Sequence, residues 1–332
     1  MSKNDLLKCM VFLFFWMVVC IFVATRNIEN HADSLAYSLY FQRVLDEGLV
    51  FRFEPLFSLS VFAISNITND TVICFLLLFL LLNFFYFILW KVINDIGKIS
   101  VYVLFFFLLS SSWFYVSSVN GIRQGLATPL VMIAFIKYYK GDMLKAIIWY
   151  SLSLGFHTSS ILLLPFVFII KFRLEVLIGM FFLSSLLYFF GIYEGIVKAI
   201  SELIGLPVYK LISGYAGEDA LWVGFQPMHV LYTMFYAAFY YSFYKFFFKN
   251  KINIRGQRQF EILLSMYLSF SISYFVFGFG AFSNRFAFFA WSLIPVMWSC
   301  IFNYISIKGK SFYYYALFSA FYFIYISRFI SF

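Results

Sequence analysis

An all-helical protein threaded repeatedly through a membrane is the fold class this sequence predicts, and three observations carry it. Of the 332 residues, 64% are hydrophobic and only 12% are charged, whereas soluble domains hold about 45–50% apolar and about 25% charged residues. The apolar residues fall in successive runs near the roughly 20 residues that cross a hydrocarbon core. Lysine and arginine collect in some of the intervening loops and avoid others, the bias that marks cytoplasmic loops.

Apolar length and flanking charge place spans near 8–25, 70–90, 100–118, 121–138, 143–157, 158–171, 174–192, 226–247, 260–281, 286–306 and 312–328. The expectation is about eleven transmembrane helices, in a range of ten to twelve, within one integral domain over 1–332. The first run follows Lys3 and Lys8 as a signal peptide would, but it lacks a small-x-small cleavage site, so it is expected to stay attached as an anchor. The apolar stretch from Pro55 to Asn66 is too short for an ordinary span and reads as a re-entrant or interfacial helix. Counting it as a crossing inverts every later loop.

With the amino terminus inside and 55–66 not crossing, sixteen of the 24 lysines and arginines lie inside with five of the fifteen acids, giving +11 inside and −2 outside. The overall charge of +9 is therefore a topology signal, and no nucleic acid partner is expected. Cys9, Cys20, Cys74 and Cys300 lie in apolar runs without Cys-x-x-Cys spacing and read as small buried hydrophobes. A P-loop, a dinucleotide fingerprint, a His-Glu-x-x-His pair and a nucleophile elbow are all missing, which speaks against nucleotide-driven chemistry. No metal site and no cofactor are expected.

This layout puts four polar segments on the outer face: the first loop 26–54, Asn120 to Gln124, Phe156 to Ser159, and Ser283 to Arg285. A cation at membrane depth is costly, so Arg123 and Arg285 either snorkel to the headgroups or serve an anion. A guanidinium offers a planar donor fork suited to phosphate oxygens. On a helix beginning near Asn120, residues 120, 123, 124 and 127 share a face, so Asn120, Arg123 and Gln124 would line one groove. Gly121 and Gly125 give a small-xxx-small flank for close backbone approach. Asn284 and Arg285 follow Gly278 and Gly280, which permit bending or close packing.

His157 lies between two apolar runs among Ser153, Thr158, Ser159 and Ser160, and reads either as a hydrogen-bonded structural group or as a phosphate contact or proton shuttle. In the first loop, Asp33 and Glu54 are the carboxylates best placed to take a proton from a sugar hydroxyl. Their alternatives are an N-cap for Asp33 and an ordinary helix-start acid before Pro55 for Glu54. His31 is read as a loop residue. Residues 192–212 alternate Glu194, Lys198 and Glu202 with an apolar stripe of Ile196, Val197, Ile200, Leu203 and Ile204, predicting an amphipathic helix on the outer surface. The rest of 192–224 forms a loop whose Tyr215, Glu218, Asp219 and Trp222 suit a glycan lid or a plain connection.

Taken in order, Asp33 with Tyr37, Glu54-Pro55, Asn120-x-x-Arg123-Gln124-x-x-Ala127, Phe156-His157-x-Ser159 and Arg285 resemble the bacterial exopolysaccharide and O-antigen polymerases of the EpsG-like, Wzy type. The resemblance implies a membrane glycosyltransferase that moves a growing glycan from undecaprenyl pyrophosphate onto a lipid-linked repeat unit at the periplasmic face of the inner membrane. It implies catalytic roles for Arg123, Arg285, His157, Asp33 and Glu54, and substrate contacts from Asn120, Gln124, Ser159, Asn284 and Tyr37. The implied partners are the undecaprenyl-pyrophosphate-linked oligosaccharide, membrane lipid and a chain-length regulator protein. A lipid-linked glycan flippase or transporter, and an acyl- or glycosyltransferase that modifies the glycan, are the alternatives.

Overall fold

The computed structural model describes residues 3–30, 32–205, 208–213, 224–249, 254–280 and 283–305. His31, the lid residues at 215–222 and the span expected at 312–328 lie outside them. Among the described residues every regular element is helical, and they divide into two compact units, Met1–Ile161 with Trp298–Phe332, and Leu162–Met297.

The first unit opens with α1 (Lys3–Ala24), α2 (Ala32–Glu47), α3 (Pro55–Ser65) and α4 (Thr71–Asn94). Met10, Phe14, Met17 and Ile21 of α1 are exposed while Val19 and Val23 are fully buried. A helix that is apolar on its outer as well as its inner face is suited to lipid. The Asp70 carboxylate caps α4 by accepting from the Val72 N–H at 2.6 Å. Inside α4, Asn83 is buried, donates to the Phe79 carbonyl and accepts from Trp16 Nε1 at 3.3 Å, so its amide is satisfied away from water.

Next come α5 (Val101–Leu109) and α6 (Ser112–Val119), which meet at a 79° bend rather than forming the straight span expected over 100–118. Ser110 and Ser111 sit at the break. Asn303 ties the start of α5, accepting from the Ser100 N–H at 3.1 Å. The centre of the unit is α7 (Ile122–Tyr139), with fourteen of its eighteen residues buried, and it packs on α4, α6 and α8 (Met143–Phe156).

The apolar run expected as one span over 158–171, which begins in the first unit and ends in the second, is broken into a 3-10 turn, a four-residue α9 (Leu164–Val167) and another 3-10 turn at Ile169–Lys171. Pro165 opens the second piece, where its missing N–H does no harm. Then α10 (Leu174–Phe189) turns by 90° into α11 (Ile192–Ile204), across Gly191 at φ +69°. In α11 Ile196, Ile200, Leu203 and Ile204 are exposed, and Glu194 accepts from the Tyr209 hydroxyl of α12 (Val208–Ser213). There follow α13 (Pro227–Phe243), continued by a π-helical turn at Tyr244–Phe248, then α14 (Ile254–Phe277), α15 (Ser283–Trp291) and α16 (Leu293–Ile305), whose last residues belong to the first unit. Within the second unit α14 is the buried element, packed against α10 and α15. Its buried Ser269 and Ser271 donate back to carbonyls one turn earlier, which keeps hydroxyls tolerable in a dry helix.

Three described helices, Thr71–Asn94, Ile254–Phe277 and Ser283–Tyr304, are long and apolar enough to cross a membrane, and five are if each bent pair counts as one span. Shorter apolar helices over Cys9–Ala24, Pro55–Ser65, Met143–Phe156 and Thr158–Lys171 accompany them. The sequence-based tally of eleven treated each apolar run as one straight rod. Bends and 3-10 breaks shorten several of those runs below spanning length. Cys20, Cys74 and Cys300 are buried and Cys9 is half-buried.

Candidate functional site

The segment read as an outer loop, 26–54, is largely the helix α2, and its start is fixed to the end of α6. Ser34 donates to the Val119 carbonyl, and the Asp33 N–H donates to Asn120 Oδ1 at 3.1 Å. Asn120 does not begin α7, as the sequence led us to expect. It is the C-cap of α6, with Gly121 forming the break before Ile122. A polar face running from 120 to 127 on one helix is therefore replaced by two functions: Asn120 holds α2, and Arg123 projects from the first turn of α7.

Close approach makes this possible. A Cβ added to Gly125 would lie 2.7 Å from both the Cβ and the carbonyl oxygen of Ser117, so α6 and α7 touch backbone to backbone there. At Gly121 the nearest atom would be 3.8 Å away, ordinary contact, so of the two glycines only Gly125 is required by packing.

On the other side, α3 lies against α8 through Gly155, where an added Cβ would meet Leu56 at 2.6 Å. This contact sets the N-cap of α3, Glu54, beside the C-cap of α8, His157. The Glu54 side chain makes no capping bond to its own helix. Instead it turns to four donors. Oε2 accepts from Arg123 Nη1 at 2.6 Å. Oε1 lies 3.1 Å from His157 Nδ1, and accepts from the Thr158 N–H at 3.1 Å and the Thr158 hydroxyl at 3.3 Å.

Aromatic residues close the cluster. Arg123 Cζ stands 4.4 Å from the Phe53 ring centroid, and Arg123 Nε donates to the Tyr37 hydroxyl at 3.3 Å. Tyr37 in turn packs on Phe53 and Phe57 with centroids 5.6 and 5.3 Å away. The Glu54 side chain is 6% exposed and that of Arg123 22%, so the pair is largely withdrawn from water. Burial works against ionisation of Glu54. The hydrogen bond from His157 and the Arg123 charge outweigh it, and the carboxyl is held well below the usual carboxylate range.

The turn after His157 is itself braced: Tyr150 donates to the Ser160 carbonyl and Ser153 donates to the Ser160 hydroxyl at 2.9 Å. Ser159, expected as a substrate contact, has a buried Oγ with no hydrogen-bond partner among the described residues. Gln124 is buried in α7. Asp33 is tied through its backbone N–H to Asn120.

Arg285 and Asn284 belong to the second unit, at the start of α15. Arg285 is exposed, and Asn284 Oδ1 is buried without a partner among the described residues. Their neighbour Ser283 is buried, with its hydroxyl 3.4 Å from His229 Nδ1, and His229 lies edge-on to Trp291 at 5.2 Å. Gly280 is a close-packing position as expected, since an added Cβ would fall 2.6 Å from the Ile212 carbonyl oxygen.

Sequence reasoning overlooked Thr158 and Phe53 as site residues. Arg26 was counted only as loop charge, yet it is buried, donates to Ser34 Oγ at 3.1 Å and the Val23 carbonyl at 2.6 Å, and lies 3.8 Å over Phe75.

Arg123, Glu54, His157, Thr158 and Tyr37 thus form one charged, hydrogen-bonded centre drawn from four separate chain segments. Its donors suit an anion and its carboxylate suits a proton. No curated protein and no solved structure shows significant similarity to the chain. The family model described as EpsG family matches residues 8–332, and the chain belongs to that family.

Proposed function

We propose that this protein is a polysaccharide polymerase, which transfers a growing glycan from undecaprenyl pyrophosphate to the non-reducing end of a lipid-linked repeat unit. Membership of the EpsG family supports the coarse reading, a membrane protein of polysaccharide polymerisation. The observation that carries the finer one is the Arg123–Glu54–His157–Thr158 cluster, which pairs diphosphate-compatible donors with a carboxylate. Departure of a diphosphate builds negative charge on its bridging oxygen, and a positioned guanidinium lowers the energy of that charge.

In this reading the site faces the outside of the cytoplasmic membrane, following the lysine and arginine bias, and the broken apolar helices pack into an assembly of about eleven crossings. Asn284 and Arg285 enter on their sequence motif alone, as a further contact for substrate anion or sugar, and Gln124 and Ser159 as sugar contacts. Membrane lipid surrounds the protein, and a chain-length regulator is its expected protein partner.

The test is the length of surface glycan in cells carrying Arg123→Ala at normal protein level. A polymerase variant leaves single-repeat glycans. A flippase variant would leave none, a modifying enzyme would leave full ladders, and either result removes the proposal.

A further inference from the structure

Glu54 draws on donors of Arg123, His157 and Thr158, the site to which the proposed function assigns the diphosphate. Its two oxygens take Arg123 Nη1, the Thr158 N–H and the Thr158 hydroxyl, and lie against His157 Nδ1. A carboxylate held in this way is a weak base, because each bond stabilises its charged form. A diphosphate, with more negative charge and more acceptor oxygens, fits the same donors.

Resting on that reading, we propose that Glu54 is an internal stand-in for the substrate anion: the lipid-linked diphosphate displaces its carboxylate from Arg123, His157 and Thr158, and the displaced carboxylate becomes the base that activates the acceptor. The physical logic is an exchange of counter-ions. While Glu54 fills the site, Arg123 is not left as a lone cation in an apolar surrounding, a state that would be costly. Once the diphosphate takes the donors, Glu54 stays in its largely buried position but loses the bonds that favoured its anion. Burial then raises its proton affinity. Base strength therefore appears only after the donor substrate is seated.

The transfer balances without a co-reactant. The acceptor hydroxyl oxygen attacks the anomeric carbon of the donor sugar, and the new glycosidic bond forms as the bond from that carbon to the diphosphate oxygen breaks. The hydroxyl proton passes to Glu54. The bonding pair leaves on the diphosphate, which stays against Arg123.

The experiment measures binding of inorganic pyrophosphate to the purified full-length protein in detergent, by calorimetry, together with surface-glycan length in cells. Removing the internal competitor should tighten pyrophosphate binding by about tenfold or more in Glu54→Gln while chain growth is lost. Glu54→Asp, which keeps the charge but draws it back by one methylene, should tighten binding several-fold and retain part of the chain growth. Arg123→Ala should abolish pyrophosphate binding in either background. Unchanged or weaker binding by both folded Glu54 variants, with circular dichroism and elution volume matching the parent, overturns the exchange and leaves the polymerase reading standing. Full ladders from Arg123→Ala overturn the polymerase reading, and the binding data then decide the exchange by themselves.

Discussion

Glu54 and Arg123, 69 residues apart in sequence, meet at 2.6 Å with the carboxylate almost wholly buried. The pair joins the start of α3 to the start of α7. Its formation depends on two glycine contacts, Gly125 on Ser117 and Gly155 on Leu56.

Partners so placed should be energetically coupled. In a double-mutant cycle with Glu54→Gln and Arg123→Met, thermal unfolding in detergent should show a coupling of about 1–3 kcal/mol. Each single change leaves an unpaired group in a dry site, so the double mutant should be more stable than the sum of the singles predicts. Additive effects would show that the pair contributes no mutual energy.

Gly125 offers a sharper test of packing. Alanine gains about 1 kcal/mol in helix propensity, but its Cβ would press on the Ser117 backbone at 2.7 Å, which cannot swing aside. Overpacking of this kind costs about 1–3 kcal/mol. Gly125→Ala should therefore lower stability and chain growth together, since α7 carries Arg123. Gly121→Ala, with nothing nearer than 3.8 Å, should leave both unchanged. Equal behaviour of the two variants would contradict the close contact between α6 and α7.

Much of this centre was legible in the sequence, for physical reasons. Arginine, histidine and glutamate are rare beside apolar runs, so each of Arg123, His157 and Glu54 stood out against its surroundings. Which carboxylate met which cation was not legible, because Glu54 reads locally as a helix-start acid before Pro55 and only the α3–α8 packing turns it toward Arg123. Thr158 escaped notice because its contribution is partly a backbone N–H, a group every residue but proline carries. The helix boundaries also misled. Hydropathy reports apolar length but not direction, so the 79° bend between α5 and α6 and the 90° bend between α10 and α11 left no mark in the apolar runs.

The charge state of Glu54 gives a pH prediction. Its folded pKa is depressed from 4.5, so the group's contribution to stability is fully present above the unfolded value, declines as pH falls below it and is gone once pH has fallen through the lower folded value. Between about pH 4.5 and 8 its contribution should be constant. Infrared difference spectra of wild type against Glu54→Gln should show a carboxylate and no protonated carboxyl band for Glu54 at pH 5. A carboxyl band at that pH would mean that Arg123 and His157 do not hold the anion.

Arg285 separates a chemical role from a structural one. It is exposed at the start of α15, and exposed substitutions away from special features change stability by about 0.5 kcal/mol or less. Arg285→Ala should therefore unfold at the wild-type temperature while cells carrying it accumulate short glycans. Arg285→Lys keeps the positive charge but lacks the bidentate fork, so it should restore chain length only in part. Full-length ladders from Arg285→Ala would remove this residue from the substrate-binding set and leave the centre at Arg123 untouched. A fall in unfolding temperature matching the loss of chain length would instead assign Arg285 to the packing of α15, beside Ser283 and His229.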